Sequence, residues 1–553
     1  MPQPYATIDV RAYKDRSYDE IYEAFEYDLP ETYNIAREVI ESHAGSGRTA
    51  LQFEWQDGTC SEYTFAELNE EAGKLAAWFR NQGVDRGDRI GVALSQHPVT
   101  LITHLAAYKL GAIIVPMSVI FGTDSIAYRI ETADVTTLVT NAEFAETMSS
   151  EFAAIETLVT VDSSERGTTY DEILARTDDV VSAIDTTPSD PCLILFTSGT
   201  TGDPKGVVHT HGCITGFLPG FELMNEFPDD DAVVFTPADW AWVAGSLDTA
   251  FPAWWGGRTV IGYESQGFNP AAVFDILETH DVTHTLLTPT MLRLMSESVS
   301  EPASAYDLSL EVIVTGGEPT AEAVFNWVTE QLDGVVLNEH YGQTEADILL
   351  VNSHSVMSTV EPGSLGRPAP GHDVVILGDD GIPLPDGEIG QIAVKTPDPV
   401  VTKGYWNDED STAAAYSGDY WLTGDMGYRD DDGTFWFAGR VDDLIISSGY
   451  RISPTEVERT LENQPEVQSA IVFSTPDDTR GEVVTAAIKL VNAADGTAEL
   501  KQSLQETVRE ELAKYKYPRR IVFVESFPHT STDKVSRQDL REQLDIDTTD
   551  NSP

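Results

Sequence analysis

A stretch rich in glycine, serine and threonine is the part of the sequence best suited to chemistry. It reads Thr-Ser-Gly-Thr-Thr-Gly-Asp-Pro-Lys-Gly from Thr197 to Gly206 and follows an apolar segment that ends at Phe196. Backbone N–H groups and hydroxyls in such a loop can bind phosphate oxygens, and Lys205 adds a positive charge. The loop lacks the Gly-Lys-Ser/Thr ending of a Walker loop, and composition alone leaves an ordinary flexible linker equally open.

The whole ten-residue string resembles the phosphate loop of the adenylate-forming superfamily, which includes acyl-CoA synthetases, luciferases and peptide-synthetase adenylation domains. Further matches follow in the family's order and cover roughly residues 64–541, and the C-terminal part is most similar to the medium-chain acyl-CoA synthetases. The matching segments are 316–319 (Gly-Gly-Glu-Pro), 341–345 (Tyr-Gly-Gln-Thr-Glu), 423–425 (Thr-Gly-Asp), 439–443 (Gly-Arg-Val-Asp-Asp), 449–451 (Gly-Tyr-Arg) and 528–534 (Pro-His-Thr-Ser-Thr-Asp-Lys).

The resemblance implies ATP-dependent activation of a small-molecule carboxylic acid. The carboxylate attacks the α-phosphate of ATP and forms an acyl-adenylate and pyrophosphate. Two anions must approach each other in this step, so fixed positive charge and in-line positioning are required. Lys534 is expected to bridge the carboxylate and the α-phosphate, Thr344 to hold the phosphate, and Glu345 to bind Mg²⁺.

The resemblance also implies contacts to the rest of the nucleotide. An ionised Asp425 suits the ribose hydroxyls as a hydrogen-bond acceptor, Arg440 adds a ribose contact, and Arg451 lies on the phosphate side. Asp533 stands beside the catalytic lysine where many relatives have glycine. The expected ATP- and CoA-binding residues are Thr197, Ser198, Gly199, Thr200, Thr201, Gly202, Lys205, Gly317, Glu318, Pro319, Glu339, His340, Tyr341, Gly342, Gln343, Thr344, Asp425, Arg440, Ser448, Gly449, Tyr450, Arg451, Arg480, Arg509 and Lys534.

A second half-reaction follows from the same resemblance, in which the thiol of CoA attacks the acyl-adenylate. Relatives rotate the small C-terminal domain about a hinge, and Asp442 occupies the hinge position. With Lys534 and Thr344 it completes the set of expected catalytic residues. The positions that match CoA contacts are Ser448, Gly449, Tyr450, Arg480 and Arg509.

The sequence indicates the identity of the acyl group less clearly than it indicates the nucleotide contacts. Acetate-restricted synthetases resemble this chain but have tryptophan directly after the tyrosine of the Tyr-Xaa-Gln-Thr-Glu motif, where this chain has Gly342. A missing indole leaves room for methylene groups, each worth about 0.8 kcal/mol when buried. We therefore expect a short- or medium-chain fatty acid longer than acetate, or a small aryl acid. Trp242 is a second candidate for the acyl pocket, with plain core packing as its alternative.

Three other functions compete with an acyl-CoA ligase. An adenylating enzyme of the same fold could load a carrier protein, although the matches at Tyr450, Arg480 and Arg509 favour free CoA and no carrier domain is seen. A nucleotide-binding regulator without catalysis is disfavoured by the retained Lys534 and Glu345. An acidic interaction protein is disfavoured by the regular α/β pattern.

The elements that must position these residues alternate between helix and strand. Thr64 and Glu67 form a capping-box sequence ahead of a helical pattern, and short apolar strands follow, which predicts doubly wound α/β architecture. From about Gly363 to Phe437, turns rich in glycine and aspartate predict a β-rich subdomain. We expect a large N-terminal domain over residues 1–441 and a small, mobile α+β domain over residues 442–553.

The net charge of the chain indicates which solvent conditions and which binding partners suit the protein. Aspartate and glutamate number 92 and lysine and arginine 34, which gives a net charge of −58. Such a chain repels itself at low ionic strength, so we expect a halophilic protein that is screened by concentrated salt. The same sign argues against nucleic acid and anionic membranes as partners, both of which need a basic face.

Cysteines and the N-terminus suggest the compartment. Cys60, Cys192 and Cys213 have neither metal-ligand nor disulfide-framework spacing, and the first fifteen residues do not resemble a signal peptide. The apolar stretch from Leu101 to Phe121 is interrupted by charged and helix-breaking residues, which predicts core elements and no membrane span. A cytoplasmic location is expected, and the sequence leaves a homo-oligomer open.

Overall fold

The computed structural model describes residues 9–148, 152–197, 203–265, 267–443, 445–447, 450–477, 481–492, 496–528 and 537–544. The chain divides into two compact units. Unit 1 comprises Met1–Val374 and Val394–Thr423, and unit 2 comprises Val375–Ala393 and Gly424–Pro553.

Strands are numbered in chain order and have the following bounds. They are β1 (Thr49–Glu54), β2 (Cys60–Thr64), β3 (Arg89–Ala93), β4 (Ile113–Met117), β5 (Thr137–Thr140), β6 (Thr157–Thr160), β7 (Thr168–Thr169), β8 (Pro191–Thr197), β9 (Lys205–Thr210), β10 (Val233–Phe235), β11 (Thr259–Tyr263), β12 (His284–Leu286), β13 (Val312–Gly316), β14 (Val336–Gln343), β15 (Ala346–Val351), β16 (Arg367–Pro368), β17 (Val374–Leu377), β18 (Gly390–Lys395), β19 (Tyr416–Ser417), β20 (Tyr420–Arg429), β21 (Phe435–Arg440), β22 (Ile445–Ser447), β23 (Tyr450–Ile452), β24 (Val467–Asp477), β25 (Gly481–Leu490) and β26 (Arg520–Phe523).

Helices are numbered in the same way. They are α1 (Tyr18–Ala24), α2 (Ile35–Val39), α3 (Phe65–Asn81), α4 (Pro98–Leu110), α5 (Thr123–Thr132), α6 (Ala142–Thr147), α7 (Tyr170–Arg176), α8 (Cys213–Met224), α9 (Val243–Gly245), α10 (Phe251–Trp255), α11 (Pro270–Thr279), α12 (Pro289–Ser298), α13 (Pro302–Ala305), α14 (Glu322–Gln331), α15 (Glu409–Ala414), α16 (Pro454–Glu462), α17 (Ala498–Glu511) and α18 (Arg537–Gln543). A π-helical turn, Ser246–Ala250, joins α9 to α10.

Two large, mostly parallel sheets form the frame of unit 1. One has nine strands in the order β16-β15-β14-β13-β12-β10-β11-β1-β2, and the other has seven in the order β7-β6-β5-β3-β4-β8-β9. Strands β10 to β14 pair in parallel, as do β3 to β8, whereas β8 and β9 form an antiparallel pair. Parallel strands joined by helices are the arrangement that the alternating sequence pattern predicts.

Each sheet of unit 1 is covered by amphipathic helices. Helices α11, α12 and α14 bury Phe274, Leu292 and Val328 against strand residues of the nine-stranded sheet. Helix α5 buries Ile126 and Ile130 against the seven-stranded sheet. This burial of apolar faces is the main favourable term that holds the frame together.

Unit 2 contains a smaller α+β core. Strands β23-β22-β25-β24 form one sheet, β26 pairs in parallel with β25, and helices α16 and α17 pack on it. Val457 and Leu461 of α16, together with Leu504 and Val508 of α17, are buried in that core. The antiparallel pair β20–β21 supplies further residues of this unit.

Local sequence signals determine where helices begin. Thr64 Oγ1 accepts a hydrogen bond from the N–H of Glu67, and Glu67 Oε2 accepts one from the N–H of Thr64 at 2.8 Å, so the predicted capping box starts α3. Ser453 caps α16 in the same way by accepting from the N–H of Glu456 at 3.1 Å, with Pro454 in the first turn. Both satisfy backbone donors that a helix leaves unpaired at its start.

The predicted fold class is confirmed: a large α/β domain, a β-rich part and a smaller C-terminal α+β domain are present. The segment Leu101–Phe121 forms parts of α4 and β4, and no helix among the described residues is both long and apolar enough to cross a bilayer. The boundary at residues 441–442 and the mobility of the C-terminal domain stay predictions.

A buried ion pair links helix α8 to the start of β11 in unit 1. Arg258 donates from both terminal nitrogens to the carboxylate of Glu222 at 2.9 and 3.1 Å, and the two side chains are 0% and 1% exposed. Arg258 also donates to the Pro228 carbonyl at 2.8 Å. Removing one partner from a pair this deeply buried leaves the other charge uncompensated.

Glu222→Ala is expected to lower the free energy of unfolding by about 3–5 kcal/mol, because it leaves the Arg258 guanidinium buried without its carboxylate. The matched control is Glu297→Ala, which breaks the exposed i,i+4 pair with Arg293 and should cost no more than about 0.5 kcal/mol. Denaturant unfolding in concentrated salt measures both. Equal losses in the two variants would contradict the assigned role of burial.

Candidate active site

The phosphate-loop sequence is the connection of a β-hairpin in unit 1. Strand β8 ends at Thr197, strand β9 begins at Lys205, and the two residues are partners across the antiparallel pair. Lys205 Nζ donates to Ser411 Oγ at 2.7 Å and lies 5.0 Å from the ring centroid of Tyr405. The expected phosphate-binding residues Ser198, Gly199, Thr200, Thr201 and Gly202 lie outside the described residues.

Two further motifs meet at the carboxyl end of adjacent parallel strands. Strand β13 ends at Gly316, and residues 317–319 follow it directly. Gly316 is the register partner of His340 on β14, so the first motif lies beside the second, residues 341–345. Open α/β sheets bind ligands outside the carboxyl ends of their strands, and this edge is such a place.

The turn formed by Thr344 and Glu345 is held by three neighbours. His209 Nε2–H donates to the Thr344 carbonyl at 2.7 Å, and the N–H of Thr402 donates to the Glu345 carbonyl at 2.7 Å. The hydroxyl of Tyr405 donates to Glu345 Oε1 at 2.8 Å. These contacts fix the turn in place, and both residues are only half-buried.

His209 acts on this turn as a neutral donor. Burial lowers its pKa from 6.5 to about 4, and the hydrogen bond to the Thr344 carbonyl offsets only part of that effect. Nδ1 of the same ring has no hydrogen-bond partner among the described residues. The ring therefore carries its proton on Nε2 near neutral pH, which is the tautomer that can hold the carbonyl.

Other motif side chains already have protein partners. Glu318 Oε1 accepts from the N–H of Thr290 in the first turn of α12 at 2.8 Å, where a negative charge also suits the helix dipole. Glu339 Oε2 accepts from the N–H of Gly363 at 2.8 Å. Gln343 Nε2 donates to the Thr423 carbonyl at 3.0 Å. These contacts hold the side chains of Glu318, Glu339 and Gln343 in place.

Tryptophans of the segment from Asp239 to Gly257 have different surroundings. Trp240 and Trp254 are completely buried, and Trp254 donates to the Ala50 carbonyl at 2.7 Å, so both are core residues. Trp242 is half-buried and its ring centroid lies 5.6 Å from that of Phe121. Of these three residues, only Trp242 keeps a face that a ligand could contact.

Gly342 has an unexpected neighbour. A Cβ atom added there would lie 2.1 Å from Asp347 Oδ1 and 2.5 Å from Asp347 Cα. The space beside the glycine is therefore filled by an aspartate of the same chain. A side chain at this position would require the backbone of Asp347 to move, and the expected preference for long acyl chains stays a prediction.

In unit 2, Asp425 and Arg440 lie opposite each other on β20 and β21. Arg440 Nη1 donates to Asp425 Oδ1 at 2.8 Å, and the two side chains are 39% and 7% exposed. A carboxylate held in this way is oriented by its partner, and when ionised it acts only as a hydrogen-bond acceptor. The pair brings together both residues expected at the ribose.

The remaining expected residues of unit 2 are described only in part. Asp442, Tyr450 and Arg451 have a described backbone, in the 3₁₀ turn Val441–Asp443 and in β23, but no described side chains. Arg509 on α17 places its guanidinium 3.7 Å from the ring centroid of Tyr517. The residues that lie outside the described part of the chain are Ser448, Gly449, Arg480 and Lys534.

The residues that hold the motifs in place are not part of any motif. His209, Thr402 and Tyr405 all contact the turn at 344–345, yet each is more than fifty residues away from it in sequence. Only His209 carried a local signal, as a histidine on an otherwise apolar strand directly after the phosphate loop.

Comparison with family models agrees with the motif positions. A model described as AMP-binding enzyme matches residues 40–406, and one described as AMP-binding enzyme C-terminal domain matches residues 456–534. The first covers more than half of the chain, and it includes the loop at 197–206 and the turn at 344–345.

Three individual proteins illustrate the similarity. An uncharacterized acyl-CoA ligase, YtcI, of Bacillus subtilis is 34% identical over 527 residues, covering 93% of this chain and 96% of that protein. The mitochondrial acyl-coenzyme A synthetase ACSM3 of Mus musculus is 32% identical over 553 residues, covering 95% and 93%. The crystal structure of the anthranilate CoA ligase AuaEII with anthranoyl-AMP superposes with a TM-score of 0.83 at 26% identity, covering 93% and 98%.

His209 gives the stability of unit 1 a pH dependence with a definite sign. The unfolded chain binds a proton at this histidine below pH 6.5, whereas the folded chain binds it only near pH 4. The free energy of unfolding should therefore fall as the pH is lowered from 6.5 towards 4, by about 3 kcal/mol at most for this group.

Denaturant unfolding across this pH range tests the effect, when the pH dependence of the free energy of unfolding is compared between the wild type and its variants. His209→Gln keeps a donor for the Thr344 carbonyl and should lose less stability in acid than the wild type. His354→Gln, at an exposed position, is the control. An acid dependence in His209→Gln that matches the wild type would show that His209 is not the group responsible.

Proposed function

The chain belongs to the AMP-binding enzyme family, and from this we propose that it is an AMP-forming acyl-CoA ligase. The observation that carries the proposal is the joint match of both family models, which cover the phosphate loop, the segments 316–319 and 341–345 and the position of Lys534. The acyl-adenylate bound in the anthranilate CoA ligase structure supports the same intermediate here.

The first half-reaction joins a carboxylic acid to AMP. A carboxylate oxygen attacks the α-phosphorus of ATP, a P–O bond forms, and pyrophosphate leaves. We assign the phosphate contacts to residues 197–202, Lys205 and Thr344, and the bridging charge to Lys534. The fixed turn at Thr344 supports this assignment, because a donor that is already oriented loses little entropy on binding.

Asp425 and Arg440 are assigned to the ribose, and Arg451 to the phosphate side of the nucleotide. The ion pair between Asp425 and Arg440 supports this, since it orients the Asp425 carboxylate on β20. Residues 317–319, together with the stretch 339–343, complete the proposed nucleotide contacts. The acceptor chemistry of a carboxylate matches two vicinal hydroxyl donors.

Mg²⁺ is the metal that this chemistry implies, with Glu345 as its expected ligand. A hard carboxylate oxygen suits this ion, which usually takes one or two protein carboxylates and otherwise binds water and substrate phosphates. In the described part of the chain no group of three or more His, Cys, Asp or Glu side chains could hold a metal, and a Mg²⁺ bound mainly by phosphates needs none. When bound, it would neutralise phosphate charge.

The second half-reaction transfers the acyl group to CoA. The thiol sulfur attacks the acyl carbonyl, a thioester forms, and AMP leaves with the electron pair of the broken C–O bond. Ser448, Gly449, Tyr450, Arg480 and Arg509 are the proposed CoA contacts, and Asp442 is the proposed hinge. Stacking of Arg509 on Tyr517 supports a role in phosphate binding, because it holds the guanidinium in one orientation.

For the acid itself we propose a molecule longer than acetate, with Trp242 and Gly342 at its pocket. An aryl acid is the second candidate, because the anthranilate CoA ligase is among the similar structures. A cytoplasmic location remains our proposal, although the mouse relative is mitochondrial. Salt-dependent function remains a proposal from the net charge of −58.

Activity of the purified chain with ATP, CoA and a panel of acids in concentrated salt tests the proposal. The panel contains acetate, linear acids of four to eight carbons, and benzoate and anthranilate. We expect AMP and pyrophosphate in equal amounts, and a CoA thioester that requires CoA. Formation of ADP and phosphate instead would refute the mechanism, and activity with carrier protein but not CoA would favour carrier loading.

Asp425→Asn should raise the KM for ATP about ten- to a hundredfold, because it weakens a charge-assisted contact worth about 1.5–3 kcal/mol. The KM for the acid should change much less. Asp386→Asn is the matched control, since Asp386 also pairs with an arginine of unit 2, Arg429, at 2.6 Å but matches no motif. An unchanged KM for ATP would remove Asp425 from the nucleotide site.

A further inference from the structure

The proposed acyl pocket adjoins a group of buried polar side chains whose purpose the ligase chemistry does not explain. On β14, Asn338, His340 and Gly342 alternate with Glu339 and Tyr341 and so lie on one face of the strand. Asn338 Nδ2 donates to the Met224 carbonyl at the end of α8 at 2.9 Å, which identifies this face as the one towards α8.

Two acidic side chains lie near this face. Asp347 on β15 fills the space beside Gly342, and its Oδ1 is 3.9 Å from His340 Nδ1. Asp248, in the π-helical turn that follows Trp242, is 2% exposed. Burial and then the charge of Asp347 raise the pKa of Asp248 well above its ordinary value, which favours the protonated carboxyl group, a form that can donate as well as accept.

Three buried polar atoms without hydrogen-bond partners in the described part of the chain occur in this group. Asp248 Oδ1, His340 Nδ1 and Asn338 Oδ1 are buried, and none has a hydrogen-bond partner among the described residues. Each such atom costs free energy comparable to a lost hydrogen bond, and native proteins keep few of them. Two on one face of β14 and one in the π-helical turn near it therefore point to a missing partner.

A small cavity lies directly against Asp248. Its volume is about 10 Å³; Phe221, Leu286 and Val314 form its apolar side, and Asn225, Asp248 and Thr249 its polar side. A space of this size accommodates about one water molecule, and so one polar head group but no further methylene groups. A plain hydrocarbon tail would bury the polar side of this cavity without hydrogen bonds.

We propose that the acid used by this enzyme carries a hydrogen-bond donor on its tail, a hydroxyl or an ammonium group, and that Asp248 and Asp347 recognise it. The proposal rests on the proposed ligase function and names its substrate class. A hydroxyl can accept from the Asp248 carboxyl and donate to the Asp347 carboxylate, whereas an ammonium can donate to both. Asp248 and Asp347 are thus specificity-determining residues of the acyl pocket.

The free-energy cost of leaving buried polar groups unpaired would make the enzyme prefer a donor-bearing acid to a plain one. A site built to hydrogen-bond a substrate rejects the analogue that lacks the group, because its own buried polar atoms are then left unpaired. We therefore expect kcat/KM for the donor-bearing acid to exceed that for the plain acid of the same length by at least about tenfold, a preference that hydrophobic burial alone would reverse.

Matched acids test the wild-type enzyme directly. The sets are butyrate, 4-hydroxybutyrate and 4-aminobutyrate, and the corresponding five- and six-carbon acids, with kcat/KM measured from AMP formation in the presence of ATP and CoA. Preference for the hydroxy or the amino member supports the proposal, and the preferred member shows whether the pocket takes a neutral or a cationic group. Equal or better use of every plain acid overturns it, while the ligase function stands. No AMP with any acid overturns both.

Variants test whether the aspartate causes the preference. Asp248→Leu should lower the ratio of donor-bearing to plain acid at least tenfold, and Asp248→Asn, which keeps the shape of the side chain, should lower it less. Asp398→Asn is the control, because that aspartate is also buried, with a side chain 2% exposed against His372. If both Asp248 variants stay active and their ratio of kcat/KM for donor-bearing to plain acid is unchanged, Asp248 merely holds a water molecule. That result would overturn the proposal.

Discussion

Strand β14 points successive side chains to opposite faces of the nine-stranded sheet, and both halves of the proposed active site in unit 1 depend on that alternation. Glu339 and Tyr341 lie on one face of the strand, and His340 and Gly342 lie on the other. A register shift of one residue would exchange the two faces. Parallel pairing with β13, in which Gly316 lies opposite His340, fixes this register.

Much of the architecture could be predicted because its signals are local. The capping residues of α3 and α16 act within four residues of chain, and the phosphate loop lies between two strands that are adjacent in sequence. Contacts that complete the site could not be predicted, because they join distant segments. His209 reaches the Thr344 carbonyl across 135 residues, and Tyr405 reaches the Glu345 carboxylate across 60. Asp347 is close to Gly342 in sequence, but their contact lies where the pairing of β14 with β15 is irregular.

Acidic residues outnumber basic ones by 92 to 34, yet some of the few lysines and arginines are buried inside the protein. Arg258 is completely buried on Glu222, and Lys109 is buried where its ammonium pairs with Glu41. Salt screens exposed charges over a few ångströms but hardly reaches such interior pairs. A protein of this charge can therefore rely on these contacts at any ionic strength, whereas its exposed acids depend on the solvent for screening.

The contact between Gly342 and Asp347 also limits how the specificity of this chain can evolve. Any side chain at position 342 meets the backbone as well as the carboxylate of Asp347, so enlarging the glycine first would be disfavoured. A change at position 347 that moves this segment would have to come first or at the same time. The two positions are thus epistatic, and only one order of substitutions leads to a different pocket through folded intermediates.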